Sequence, residues 1–192
     1  MSEEEYFLFE RNAPEKHEYY GGRVRGMGEV RAMAGAQPPH NVLCFRLQGL
    51  LFSQLDKRDC SGFTSDQRVQ VRNASTYLYP DFMALCGEAE YNQDKSPALL
   101  VNPALIVEVV SKSTANQDRG EKFMLYRQIS SLRQYLLLDS TTVHAELHTR
   151  QPATDHWLLT ETRELSAVLD LSSVGCTLPL ARLYQEVLGR ET

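Results

Sequence analysis

Positive charge is scarce in this chain: 20 Lys and Arg against 25 Asp and Glu leave a formal net charge of -5 over 192 residues. That balance argues against the broad basic surface of a tight, non-specific nucleic-acid binder. Cysteine is sparse too. Cys44, Cys60, Cys86 and Cys176 are widely scattered, form no CxxC pair and follow no secretory apolar segment, so reduced thiols in a cytoplasmic protein are expected. No apolar stretch approaches the roughly 20 residues of a membrane span. The formal sequon Asn73-Ala74-Ser75 carries no weight without a signal peptide.

What is present is enough apolar sequence, 42% of residues, to bury a full core. The expectation is one domain over 1–192, with an acidic tail at about 1–5. A short polar helix follows the tail, and the chain then turns at Gly21-Gly22 into β-like sequence. Gly22-Arg23-Val24-Arg25-Gly26-Met27 is echoed by Gly28-Glu29-Val30-Arg31-Ala32-Met33. An insertion of even length extends a strand or hairpin without exchanging its faces, so this duplication need not be functional.

After Pro38-Pro39, the residues Leu43, Leu47, Leu50 and Leu51 recur at helical spacing and predict an amphipathic helix over 40–55. Strands are expected over 66–71, 77–85 and 104–110. Ser111 and Ser113 offer helix caps for a helix running to about Ile129. A buried strand follows over 134–139, then an alternating segment around Val143, Ala145 and Leu147 with a hairpin partner near 157–160. A last helix starts at Pro179 and stacks Leu180, Leu183, Tyr184, Val187 and Leu188. This order predicts an α/β fold: a mixed sheet flanked by helices, with additional hairpins.

Within Ala104-Leu105-Ile106-Val107-Glu108-Val109-Val110 stands one carboxylate, Glu108, where a strand buried on both faces should be wholly apolar. An ionised group there is costly unless a cation or hydrogen-bond donors meet it. Asp81, in Tyr79-Pro80-Asp81-Phe82, sits at the start of another β-rich segment. Two inward acids on neighbouring strands suggest a divalent-metal site. Mg²⁺ prefers oxygen ligands and retains several waters, so two carboxylates suffice to hold it, and it serves phosphodiester hydrolysis by activating water and neutralising phosphate charge.

A lysine beside the metal would complete that chemistry. Two residues after Glu108, on the same strand face, stands Val110 instead. Asp118, Lys122, Tyr126 and Ile129 share one helix face, however, and a helix packing back across the sheet can bring Lys122 beside Glu108.

These segments carry a family resemblance. Lys16-His17-Glu18-Tyr19-Tyr20, Ala32-Met33-Ala34-Gly35-Ala36 with His40-Asn41, Tyr79-Pro80-Asp81, Glu108 to Thr114 with Asp118, Lys122 and Tyr126, and Tyr135 to Asp139 appear in an order that resembles the Uma-two family. That family is a bacterial group assigned as restriction endonucleases within the PD-(D/E)xK nuclease superfamily. The resemblance runs from about Glu15 to Leu188. It implies a restriction-endonuclease-like core, a Mg²⁺ cofactor with Mn²⁺ as a substitute, DNA as substrate and a homodimer. By matching motifs it implies that Glu18 is an acid from the first helix, Asp81 and Glu108 are metal ligands, and Lys122 is a displaced catalytic lysine.

Plainer readings compete. Asp81 can be a turn-forming acid, Glu108 the partner of Arg68 or Arg72, and Lys122 with Asp118 an exposed helix pair. His144, Glu146 and His148 share a strand face and could ligate zinc, but a solvated edge is the favoured reading. Arg23, Arg25 and Arg31 are the best local candidates for tracking phosphates, with a minority phosphate role for His40. Two functional classes stand: a Mg²⁺-dependent nuclease, and a non-catalytic interaction or oligomerisation module retaining the fold.

Overall fold

The computed structural model describes residues 1–26, 38–71, 75–92, 98–111 and 115–187. Helix α1 (Glu3–Asn12) opens on a capping box in which Ser2 and Glu5 bond each other's backbone, with Glu3, Glu4 and Glu5 against the positive end of the helix dipole. Residues 2–5, expected as a tail, are therefore the cap and first turn of this helix. Strands β1 (His17–Tyr20) and β2 (Arg23–Gly26) form a hairpin through Gly21 and Gly22, both at positive φ, a conformation that glycine adopts without the Cβ penalty. Met27 and the second copy of the duplication lie outside the described residues.

Helix α2 (Pro38–Leu55) starts where the prolines place it and buries Leu43, Leu47, Leu51 and Leu55, one residue per turn. Strands β3 (Cys60–Thr64), β4 (Val69–Val71), β5 (Thr76–Leu78), β6 (Phe82–Cys86), β7 (Tyr91–Asn92), β8 (Leu99–Leu100) and β9 (Leu105–Val110) follow. The 66–71 strand shortens to β4. The segment expected as one strand over 77–85 is two, broken at Tyr79-Pro80-Asp81. Proline has no N–H for a ladder, and at this point the chain leaves one sheet for another.

A helical stretch comes next: α3 (Ala115–Gln117), a π-helical turn (Asp118–Lys122) and α4 (Phe123–Tyr126). Strands β10 (Gln134–Asp139), β11 (Ala145–Arg150), β12 (Trp157–Thr162), β13 (Val168–Leu171) and β14 (Cys176–Pro179) complete the β structure, and α5 (Leu180–Leu183) begins at Pro179 as expected. Leu188 lies outside the described residues.

The strands form two mixed six-stranded sheets, ordered β2-β1-β5-β4-β8-β7 and β12-β11-β10-β9-β6-β3, plus the β13–β14 hairpin. The protein is thus a mixed α/β fold. Strands β9 and β10 are parallel, and the helical stretch between them is the crossover that such a pair requires.

Period-two alternation divides the second sheet's contacts between two cores. Leu105, Val107 and Val109 of β9 pack with Leu136 and Leu138 of β10 beneath the α2 leucines, while Ile106 and Val110 pack with Tyr126, Tyr135 and Leu137. Both faces of β9 are covered, so its six residues are all buried. A third cluster, Tyr6, Phe7, Tyr19, Tyr77 and Leu99, fixes α1 on the first sheet.

The expectation of reduced thiols fails at one pair: Cys60 and Cys86 form a disulfide. Antiparallel pairing of β3 with β6 sets these two residues directly opposite, a proximity that their separation in the chain conceals. Cys44 and Cys176 are free. Among the described residues no helix is long and apolar enough to cross a membrane.

Candidate functional site

Glu108 lies at the junction of the two sheets, on the β9 face that meets the helical crossover. Three carboxylates converge there on one ammonium. Lys122 Nζ stands 3.1 Å from Glu108 Oε1, 3.1 Å from Glu18 Oε1 and 3.5 Å from Asp118 Oδ1. All four residues are buried.

Backbone geometry explains the convergence. Glu18 comes from β1 in the first sheet, Glu108 from β9 in the second, and Asp118 and Lys122 bound the π-helical turn between β9 and β10. A π turn is wider than an α turn and is frequent at functional sites, and here it sets Asp118 beside Lys122, four residues on, with the lysine against Glu108. Tyr126, the next residue of that face, donates its hydroxyl to Glu108 Oε1 at 2.8 Å.

The remaining oxygens are also engaged. Tyr20 Oη donates to Glu18 Oε2 at 2.6 Å and accepts from Gln117 Nε2 at 3.2 Å. The backbone of the sheet junction contributes as well: Tyr79 N donates to Glu18 Oε1 at 3.3 Å, and Asp81 N to Glu108 Oε2 at 3.4 Å. Asp81 is the fourth acid and more open than the others. Its Oδ2 accepts from Val109 N at 2.8 Å and lies 3.3 Å from His40 Nε2. Cys44 Sγ is 3.6 Å from the other ring nitrogen of His40.

Among the described residues four carboxylates thus stand around one lysine and one histidine, and the protonation of the group reflects that excess. Burial raises the Glu108 carboxyl; Lys122 opposes this, while Asp81, Asp118 and Glu18 add to the rise. Burial alone would lower Lys122, but Glu108 and Glu18 outweigh it and hold the ammonium well above the ordinary lysine value. For His40 the Asp81 carboxylate and Cys44 outweigh burial, so the imidazolium persists to about pH 10. Burial pushes the Cys44 thiol up.

The structure therefore brings Glu18, Asp81, Glu108 and Lys122 together. Glu18 arrives from a strand, not from the first helix, and the adjacent duplication does not carry it away. Val110 shares the Glu108 face but is packed into the core. Arg25 is tied to Glu121 at 2.6 Å and lies over the Tyr20 ring, so it braces β2 against the π turn; Arg23 is exposed. Arg31, Arg72 and Ser113 fall outside the described residues, and His40 faces Asp81 from α2. Arg68 lies over the rings of Tyr6, Phe7 and Tyr79, whereas Lys122 is the cation beside Glu108.

The solvated-edge reading of His144, Glu146 and His148 is overturned. Strand β11 is an inner strand between β10 and β12, and both His144 and Glu146 are buried: Glu146 bonds Arg119 at 2.7 Å while His144 Nε2 lies 2.9 Å from Glu161. His148 packs instead beside Phe123 and is depressed by burial. Tyr20 and Cys44 are site neighbours that the sequence reading passed over. Tyr20 shares the strand face of Glu18, and Cys44 follows His40 by one helical turn; those two spacings were the available signals.

A mixed α/β fold holding a buried group of acids around one lysine defines a carboxylate-centred site at a sheet junction. The Uma2 family profile, described as "Putative restriction endonuclease", matches residues 3–181, and the chain belongs to that family. Two Synechocystis sp. proteins are similar over most of their length. "Uncharacterized protein slr1290" is 35% identical over 185 residues, covering 96% of this chain and 92% of its own. "Uncharacterized protein sll1609" is 36% identical over 168 residues, covering 88% and 90%.

Proposed function

We propose that the protein is a Mg²⁺-dependent nuclease that hydrolyses DNA phosphodiester bonds. The observation that carries this reading is the excess of carboxylate over cation among the described residues at the sheet junction. Such an imbalance is unfavourable for a folded core and is relieved by a bound cation. The donors suit Mg²⁺, because Asp81 and Glu108 offer hard carboxylate oxygens and the backbone N–H groups of Asp81 and Val109 already orient them. These two residues would hold the ion, with Mn²⁺ as a substitute; when bound it supplies an activated water and neutralises charge on the phosphate.

Lys122 enters as a charged group. An ammonium held well above its ordinary pKa is a poor base at neutral pH, so its part is to orient water and offset phosphate charge. Glu18, locked by Tyr20 and Tyr79 N, positions that ammonium from behind. Exposed Arg23 supplies one phosphate contact on β2.

A specific observation favours the second reading, a non-catalytic interaction module. Both Glu108 oxygens already accept hydrogen bonds within the chain. Incubation with supercoiled plasmid and with single-stranded DNA, in Mg²⁺, Mn²⁺ or chelator, separates the two. Metal-dependent cleavage that disappears in Asp81→Asn is the expected result, and intact DNA under every metal condition assigns the module reading.

The proposed enzyme is a homodimer paired through α2. Opposite its buried leucines this helix presents Val42, Phe45 and Phe52, with Phe45 at 77% and Phe52 at 69% exposure, and among the described residues no neighbouring element comes within 4 Å of the Cβ position of Gly49 between them. A helix apolar on both sides ordinarily has a partner on both. Its one arginine, Arg46, turns aside to the Arg182 carbonyl, so a two-fold pairing of this face with itself brings no like charges together. Light scattering after gel filtration should give a dimer mass for the native chain and a monomer for Phe45→Asp. A monomeric native chain would remove α2 as an interface.

A further inference from the structure

Beside the oxygen ligands lies a second donor set of different chemistry. His40, Cys44 and Asp81 each offer one ligand atom, and these atoms lie within 4.8 Å of one another. We infer that His40, Cys44 and Asp81 form a site for a thiophilic divalent cation, of which Zn²⁺ is the fitting example. The inference shares Asp81 with the proposed nuclease site but does not depend on nuclease activity.

The placement of the residues supports it. His40 and Cys44 stand four apart near the start of α2, the same i, i+4 spacing that puts paired metal ligands on one helix face. The leucine ladder that buries α2 fixes the helix against β9 and β14, so the two donors are set by packing and not by a loop. Asp81 faces them from the start of β6, anchored through Val109 N.

A tetrahedral zinc with bonds of about 2.0–2.3 Å has ligand atoms roughly 3.3–3.8 Å apart. The His40 Nε2 to Asp81 Oδ2 distance is 3.3 Å and Cys44 Sγ stands 3.6 Å from His40 Nδ1, so a side-chain rotation of His40 or Cys44 brings imidazole, sulfur and carboxylate onto one ion. The cation displaces two protons to solvent, the one that His40 and Asp81 now share and the thiol proton of Cys44, since it binds imidazole and thiolate.

The chemistry then distinguishes the two sites. Sulfur and imidazole ligands favour zinc-like ions, whereas carboxylate and water favour Mg²⁺. Three protein ligands leave a fourth position open, as in catalytic rather than structural zinc sites. Occupation also engages Asp81, so a thiophilic ion and Mg²⁺ are antagonists at one shared carboxylate.

Titration of the full chain with Co²⁺ tests the site directly, because thiolate ligation gives cobalt an intense near-ultraviolet charge-transfer band. The expected result is a saturable band at one ion per chain. It should vanish in the near-isosteric Cys44→Ser, weaken at least about tenfold in apparent affinity in His40→Ala, and persist in Cys176→Ser. Circular dichroism confirms that each variant is folded. Glu108→Gln should keep the band while losing any Mg²⁺ response, so the two sites fail separately. Absence of the band in the native chain, or its survival in Cys44→Ser, overturns the inference.

Discussion

Lys122→Ala should lose about a hundredfold or more in DNA cleavage and about 3–5 kcal/mol in stability, the first as expected for one group acting in proton transfer or charge stabilisation, the second for breaking a buried ion pair. The stability loss corresponds to roughly 6–20 °C in melting temperature for a chain of this size. Both effects have one origin. Removing the ammonium takes from Glu18, Glu108 and Asp118 the buried cation that all three share. Lysine is not a metal ligand, so cation binding should survive, and saturating Mg²⁺ should recover part of the lost stability. Lys122→Met keeps the apolar stem and removes only the charge; assayed at low temperature, it separates lost chemistry from lost folding. Position 110 offers a positional control. Val110 lies on the Glu108 side of β9, so Val110→Lys in the Lys122→Ala background returns an ammonium to that acid and should restore part of the activity. Full cleavage by Lys122→Met would show that Lys122 serves the fold alone.

The parts of this arrangement that the sequence expresses locally were readable in it. The apolar run around Glu108 is continuous because both faces of β9 are covered, and the α2 leucines recur because one stripe faces that strand. Asp118, Lys122 and Tyr126 declare a shared face by spacing alone, and the structure places that face on Glu108. What stayed hidden depends on pairing between distant segments. Cys60 and Cys86 meet only through the β3–β6 register, and Tyr77 to Leu85 reads as one strand although Pro80 sends its halves into different sheets. His144 and Glu146 look like a solvated edge until β12 and Arg119 are placed beside them. The β13–β14 hairpin turns at Gly175, in the left-handed region, within a stretch whose alternation is too short to announce strands. Glu18 shows the same limit at the site itself, since its approach to Lys122 is set by the packing of two sheets against each other.

Saturating Mg²⁺ or Mn²⁺ should raise the melting temperature of the native chain by about 5–10 °C, because a ligand at about 100 times its dissociation constant adds roughly 2.7 kcal/mol. The shift should vanish in Glu108→Gln and in Asp81→Asn. The metal-free behaviour of Glu108→Gln then separates the two readings by sign. If the site is built for a cation, Glu108 is one acid too many in its absence, and the amide should melt higher than the native chain. If Glu108 exists to hold Lys122, the amide should melt lower, since it exchanges a charged partner for a neutral one. The pH dependence carries the same sign. Because the folded carboxyl is raised, its protonated form contributes stability that is fully present below the ordinary value of 4.5 and is lost as the pH rises through the raised folded value. Lys122 does not offset this, since its own raised value keeps it charged throughout that window. The metal-free native chain should therefore lose melting temperature on passing upward through the window, and Glu108→Gln should flatten the slope. Added Mg²⁺ should flatten it too, by replacing the proton with a cation that the ionised carboxylate binds better. A native chain whose melting ignores both Mg²⁺ and Mn²⁺ at neutral pH would remove the oxygen-ligand metal site and leave the acids as a structural network around Lys122.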